Sequence, residues 1–130
     1  MILVVALAIA LLSPMGFTED QNTERLARVI YAMAGNASYE AKLAVGSVVM
    51  NRVADPWFPA ALEDVLKEKY QFPAGTRYDE ESLYAARAAM AGQRSIPEDL
   101  VYIYAEDASY LPEEEPALRV DGYALYPREH

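Results

Sequence analysis

The stretch from Tyr39 to Val53, YEAKLAVGSVVMNRV, is apolar on most of its faces, because Leu43, Val45, Val48, Val49, Met50 and Val53 do not fall on one stripe. A helix of that kind has no side to give to water and must be enclosed by the rest of the chain. Ala41, Ala44, Gly46 and Ser47 are small, so neighbouring helices can approach it closely. Close packing also accounts for Gly46, which otherwise costs helix propensity. Ser38 can cap the segment. The sequence therefore predicts a fold organised around one central helix, and 130 residues suffice for one domain with a real core.

The remaining elements follow from local signals. Thr18 to Gln21 reads as a capping box, and behind it Leu26, Val29, Ile30 and Met33 recur at helical spacing on one face. Gly35-Asn36 supplies the stop, since both tolerate a left-handed conformation. On spacing alone, Met33 is a core residue. ADPWFP is a turn or extended link, and Pro59 can open a short third helix carrying Leu62, Val65 and Leu66. EKYQFPAGTRY reads as an ordered loop. Asp79 then caps a fourth helix with a stripe of Leu83, Ala86 and Met90, which Gly92 ends. After that the period changes: VYIYAE and LRVDGYALY read as strands, separated by LPEEEPA, a solvated loop without the ligand spacing of a calcium site. Helices first and strands afterwards define an α+β domain, with about four helices packed on a small antiparallel sheet near the C-terminus.

Charge and composition remove several function classes. A net charge of −9 argues against nucleic acid, because nothing here could neutralise a run of phosphates. The chain has no cysteine, which excludes disulfides and thiolate sites, and no metal or other cofactor is predicted. Its single histidine, His130, is the last residue and is given no role. Residues 1–17 form a separate unit. Ile2 to Leu12 is an unbroken apolar run that stops at Ser13-Pro14, shorter than the about 20 residues a spanning helix needs. It suits an export signal or a short N-terminal anchor, although a basic flank is missing; the other reading is a buried first element of the domain. Residues 18–130 are the folded unit, and an export signal would place it outside the cytoplasm.

The segment LARVIYAMAGNASYEAKLAVGSVVMNRVADPWFP, followed by the Gln71-Phe72 pair and by AARAAMAG, resembles the SleB/CwlJ-type cell wall hydrolases, the spore cortex-lytic enzymes and their relatives. The resemblance runs from about Leu26 to Tyr126. It implies a small lysozyme-like domain that handles the glycan strands of peptidoglycan as a lytic transglycosylase, with no cofactor. That chemistry uses one carboxylic acid, which protonates the leaving oxygen and then assists the sugar's own hydroxyl as it attacks. The resemblance places the acid in a Tyr-x-Glu-Ala motif. Tyr31, Ala32 and Ala34 match around it, and Met33 stands at the position of the acid.

A thioether cannot move a proton, so the resemblance argues for the fold and against the chemistry together. Glu40 matches the family's Tyr-Glu pair and is the candidate substitute acid; equally, it is a first-turn glutamate that complements a helix dipole. Tyr39, Gln71, Phe72, Tyr102 and Tyr104 are candidates for substrate binding, because aromatic and amide groups suit the apolar faces and hydroxyl edges of sugars. Phe72 can equally anchor its loop in the core. Asn51 and Arg52, late on the central helix, are expected to satisfy backbone groups or a buried carboxylate. The expectation is a peptidoglycan-interacting domain with impaired or lost catalysis. Its alternatives are an active hydrolase working through Glu40 and a non-catalytic exported interaction module.

Overall fold

Helices come first and strands last, as the sequence predicts. The computed structural model describes residues 20–68 and 71–129. The apolar segment 1–17, Thr18 and His130 lie outside the described residues. Among the described residues the order is α1 (Gln21–Ala34), α2 (Tyr39–Ala54), α3 (Leu62–Leu66), α4 (Glu80–Met90), β1 (Leu100–Ala105), β2 (Leu118–Val120) and β3 (Tyr123–Pro127). No helix among them is long and apolar enough to cross a membrane.

Helix α2 is the centre, and Ala41, Ala44, Val45, Val48 and Val49 are all fully buried. It packs against α1, α3, α4 and β1. Gly46 sits where α4 and α1 close on it: a Cβ there would lie 3.0 Å from the Ala89 Cβ and 3.3 Å from the Ile30 Cδ1. This close approach also corrects the expected stripe of α4. Its buried face is Ala85, Ala86 and Ala89, while Leu83 and Met90 are only partly buried at the edge of the core. A helix lying this near α2 has room only for methyl side chains at the crossing.

The ends of the helices show which capping signals prevailed. Helix α1 opens at Gln21 with Asp20 as its N-cap, accepting the Asn22 N–H at 3.3 Å; Thr18, the expected cap, lies outside the described residues. Its exit is also not left-handed: Gly35 has φ −59°, and the turn closes through a bond from the Ala37 N–H to the Ala34 carbonyl. Ser38 caps α2 as expected, accepting the Ala41 N–H at 3.2 Å. Lys42, only 2% exposed, donates to the Ala37 carbonyl and to Glu81, each at 2.7 Å, and so ties the α1–α2 turn to α4. Helix α3 begins past Pro59, with Ala61 as an N-cap that lends no side-chain bond. Helix α4 ends at Gly92 in the left-handed region, φ +93°.

Asp79 accepts the Ser82 N–H at 2.8 Å and caps α4. Desolvation would raise the Asp79 carboxyl, but hydrogen bonding from Ser82 and the charge of Lys42 outweigh it and hold the pKa below the ordinary 3.8. A depressed carboxylate stabilises the fold above its unfolded pKa and loses that contribution as pH falls through the folded value. Asp79→Ala should therefore cost about 1 kcal/mol at neutral pH. The cost should shrink as the pH falls below that of an ordinary carboxylate, and Asp79→Asn should keep most of the cap while removing the pH dependence. Urea unfolding at several pH values measures both, and an Asp79→Ala cost that does not change with pH would contradict the assignment.

The sheet has the order β1-β3-β2 and is antiparallel throughout. LRVDGYALY is two strands joined by a two-residue turn, with Asp121 at φ +38° and Gly122 at φ +91°. Two successive left-handed residues match the right-handed twist of the flanking strands. Ile103 pairs with Leu125, both in the core, and Tyr102 pairs with Tyr126 on the alternate face. The LPEEEPA glutamates are exposed, and the Glu114 carbonyl accepts the Tyr126 hydroxyl at 3.3 Å.

Candidate functional site

Met33 lies in the last turn of α1, partly buried against the core. It opens on a concavity of about 600 Å³ whose lining includes Tyr31, Met33, Asn36, Arg77 and Tyr123. The Tyr123 hydroxyl donates to the Met33 carbonyl at 2.7 Å, so the start of β3 is clasped to the end of α1. Burial raises the Tyr123 phenol, and the charges of Asp107 and Asp121 add to it, which keeps that hydroxyl protonated and donating. None of the lining residues carries a carboxylate.

The loop after α3 completes the wall. Gly75 passes so close to α1 that a Cβ there would meet the Arg28 backbone and Cβ, so only glycine allows this crossing. Two residues on, the Arg77 guanidinium lies 5.4 Å from the Tyr31 ring centroid, a cation–π distance. Arg28 and Tyr31 are one turn apart on α1. The Gly75 contact with the first therefore delivers Arg77 to the second.

A second cluster surrounds Arg52, which is 2% exposed at the end of α2. Its Nε donates to the Val101 carbonyl at 2.6 Å, one amino group to Glu68 at 3.1 Å and the other to the Gln71 side-chain carbonyl at 2.8 Å. The rings of Phe58, Phe72 and Tyr102 stand 4.8, 4.8 and 4.9 Å from its central carbon. Burial lowers the Arg52 pKa and Glu68 opposes it. Neighbouring Asn51 donates to the Pro97 and Leu100 carbonyls at 3.0 and 2.9 Å and accepts from Arg94. Both side chains satisfy backbone groups, as the sequence reading expects.

The structure therefore separates the candidate residues. Met33 stands in the larger concavity. Gln71, Phe72 and Tyr102 belong to the Arg52 cluster, where Gln71 and Tyr102 also line a smaller hollow of about 330 Å³ beside Trp57. Tyr104 packs edge-on against Tyr126, with ring centroids 5.7 Å apart. Tyr39 is partly buried against the core, and Glu40 is exposed in the first turn of α2; neither is among the residues that line the Met33 concavity. Arg77 and Tyr123 were not picked out from the sequence. The Asp121-Gly122 turn could have pointed to Tyr123, whereas no local signal marks Arg77. Among the described residues no group of three or more His, Asp or Glu side chains is placed to hold a metal ion.

Comparison with known proteins matches the chain to a family. The Cell Wall Hydrolase family profile aligns with residues 36–120. The chain belongs to the cell wall hydrolase family. The aligned span starts at Asn36, just after Met33. The fold of this cell wall hydrolase domain is similar to the catalytic domain of the Bacillus cereus SleB protein, with a TM-score of 0.73 and 18% identity over 84% of this chain and 92% of that one. It is equally similar to the catalytic domain of the germination-specific lytic transglycosylase SleB from Bacillus anthracis, with a TM-score of 0.72 and 19% identity over 85% and 97%. These likenesses bear out the α+β architecture, with helices ahead of a small C-terminal sheet. No curated protein matches the chain significantly.

Proposed function

We propose that this cell wall hydrolase domain binds the glycan strands of peptidoglycan outside the cytoplasmic membrane and that Met33 has cost it most or all of the family's cleavage chemistry. The observation that carries the reading is the concavity at the end of α1, where Met33 faces a lining of tyrosine, amide and guanidinium groups without a carboxylate. Tyr31 offers ring surface to sugar, and Asn36 offers an amide to its hydroxyls. Breaking a glycosidic bond by the one-acid route requires a proton for the leaving oxygen, and nothing that lines this concavity holds one at an acidic pKa. Tyr123 donates its hydroxyl to the Met33 carbonyl instead.

Mass spectrometry of muropeptides released from purified peptidoglycan tests the reading, with the native chain and Met33→Glu assayed in parallel. The native chain should sediment with the polymer and release no anhydro-muropeptides, while Met33→Glu should release them. Anhydro products from the native chain, lost in Glu40→Gln, would overturn the proposal in favour of an active enzyme working through Glu40. Failure of both proteins to cut or sediment would leave a non-catalytic interaction module that does not recognise the wall.

A further inference from the structure

We infer that the Met33 concavity is a subsite for a carboxylate-bearing saccharide, with the Arg77 guanidinium as the partner of the carboxylate. The inference rests on the proposal that the polymer is peptidoglycan and names which chemical group of it this site recognises.

Arg77 differs from the cations of α1 and α2. Arg25, Arg28, Lys42 and Arg52 each hold a carboxylate, from Glu63, Glu24, Glu81 and Glu68 respectively. Among the described residues, no carboxylate lies within ion-pair distance of Arg77, and its recorded contact is the Tyr31 ring. In a chain with 20 acidic and 11 basic residues, a guanidinium without an acidic partner goes against the composition. Its position is also held: Gly75 fixes the loop against Arg28, and the ring of Tyr31 supports the guanidinium plane. Asp107 and Asp121, whose charges reach Tyr123, are not among the lining residues. What the concavity offers is one cation, the Tyr31 ring, an amide and a thioether. A neutral sugar uses the ring and the amide and leaves the cation unused. A sugar with a carboxylate uses all of them, because guanidinium presents two parallel N–H groups to the two oxygens.

Peptidoglycan offers such groups in two forms: the lactyl carboxylate of a muramic acid without a stem, and the stem peptide's own carboxylates where an amide bond has consumed the lactyl one. Three probes distinguish them: a neutral N-acetylglucosamine tetramer, an N-acetylglucosaminyl-N-acetylmuramic acid disaccharide with its lactyl carboxylate free, and the same disaccharide bearing a tetrapeptide. Titration calorimetry of the native chain should show tighter binding of at least one carboxylate probe than of the neutral one. Arg77→Gln should weaken that probe roughly three- to tenfold, the range for a solvent-accessible charge-assisted contact, and leave the neutral tetramer within about twofold. Arg77→Lys should restore part of the loss, since it keeps the charge without the fork. Added salt should weaken the carboxylate probe and spare the neutral one. Preference for the disaccharide assigns the lactyl carboxylate, and preference for the tetrapeptide form assigns the stem. Equal binding of all three probes, unaffected by Arg77→Gln, would overturn the inference and leave the proposed function standing. Binding of none of them would overturn both. Arg77 is exposed, so its variants should fold as the native chain does. Gly75→Ala supplies an independent check, because it should weaken the carboxylate probe by displacing the loop without touching the charge.

Discussion

Replacing Arg52 with methionine should remove about 3–5 kcal/mol of stability, the scale for breaking a buried ion pair by deleting one partner. The size of the effect comes from what is left behind. Val101 is fully buried, and its carbonyl would lose the Nε–H at 2.6 Å with no water to replace it. Glu68 and Gln71 would lose the donors that hold the chain after α3, and Phe58, Phe72 and Tyr102 would lose the flat group they surround. Methionine fills much of the volume, so the loss is chiefly of hydrogen bonds and charge. Arg52→Lys should cost less but not little, because an ammonium is a point charge and cannot reach three acceptors from one plane. Urea unfolding followed by circular dichroism measures both variants. A domain of this size has about 5–15 kcal/mol in total, so Arg52→Met should sit near the edge of folding. A loss under 1 kcal/mol would mean that the cluster is a bystander.

The second large effect is a gain. Met33→Glu should raise anhydro-muropeptide release from background by roughly 10²–10⁴-fold, the usual worth of a placed general acid. Arg77 is expected to limit that gain. A guanidinium on the wall of the same concavity favours the ionised form of an introduced carboxyl and lowers its pKa, which is the wrong direction for an acid that must hold its proton. The double variant Met33→Glu with Arg77→Gln should therefore have its pH optimum at higher pH than Met33→Glu alone. It should also bind carboxylate-bearing glycan less well. A pH–rate profile for the two proteins separates these effects: the proposal predicts an upward shift of the limb on which activity falls as the acid ionises. Identical profiles would show that Arg77 does not act on the residue-33 position.

What could be read in the sequence was whatever depended on neighbours along the chain. Ser38 and Asp79 announce caps because the groups they satisfy are three residues away. Helix α2 announces its burial because apolarity on every face has one outcome in water. Asn51 and Arg52 could be assigned to backbone duty because polar groups on a buried helix need partners, although which carbonyls they reach could not be read. The misses are cases of competition or of distance. Asp20 is the cap because it stands directly before Gln21, a place that several polar residues nearby could have taken by type alone. Asp121-Gly122 is a strong hairpin signal that splits a run of strand residues. The Leu83 and Met90 stripe failed because helical period alone cannot say how near α2 will come. Arg77 was invisible because its place depends on Gly75 meeting Arg28 and on the ring of Tyr31, contacts between parts of the chain that no local pattern connects.

The clasp between Tyr123 and the Met33 carbonyl joins residues 90 positions apart. Synthesis delivers the α1 side of the concavity first and the Tyr123 side 90 residues later. Until β3 has emerged and docked, the end of α1 has no opposite wall, whatever residue stands at position 33. Construction of this pocket thus waits for β3, and a chain halted before that strand carries the helices of the domain without the site they frame.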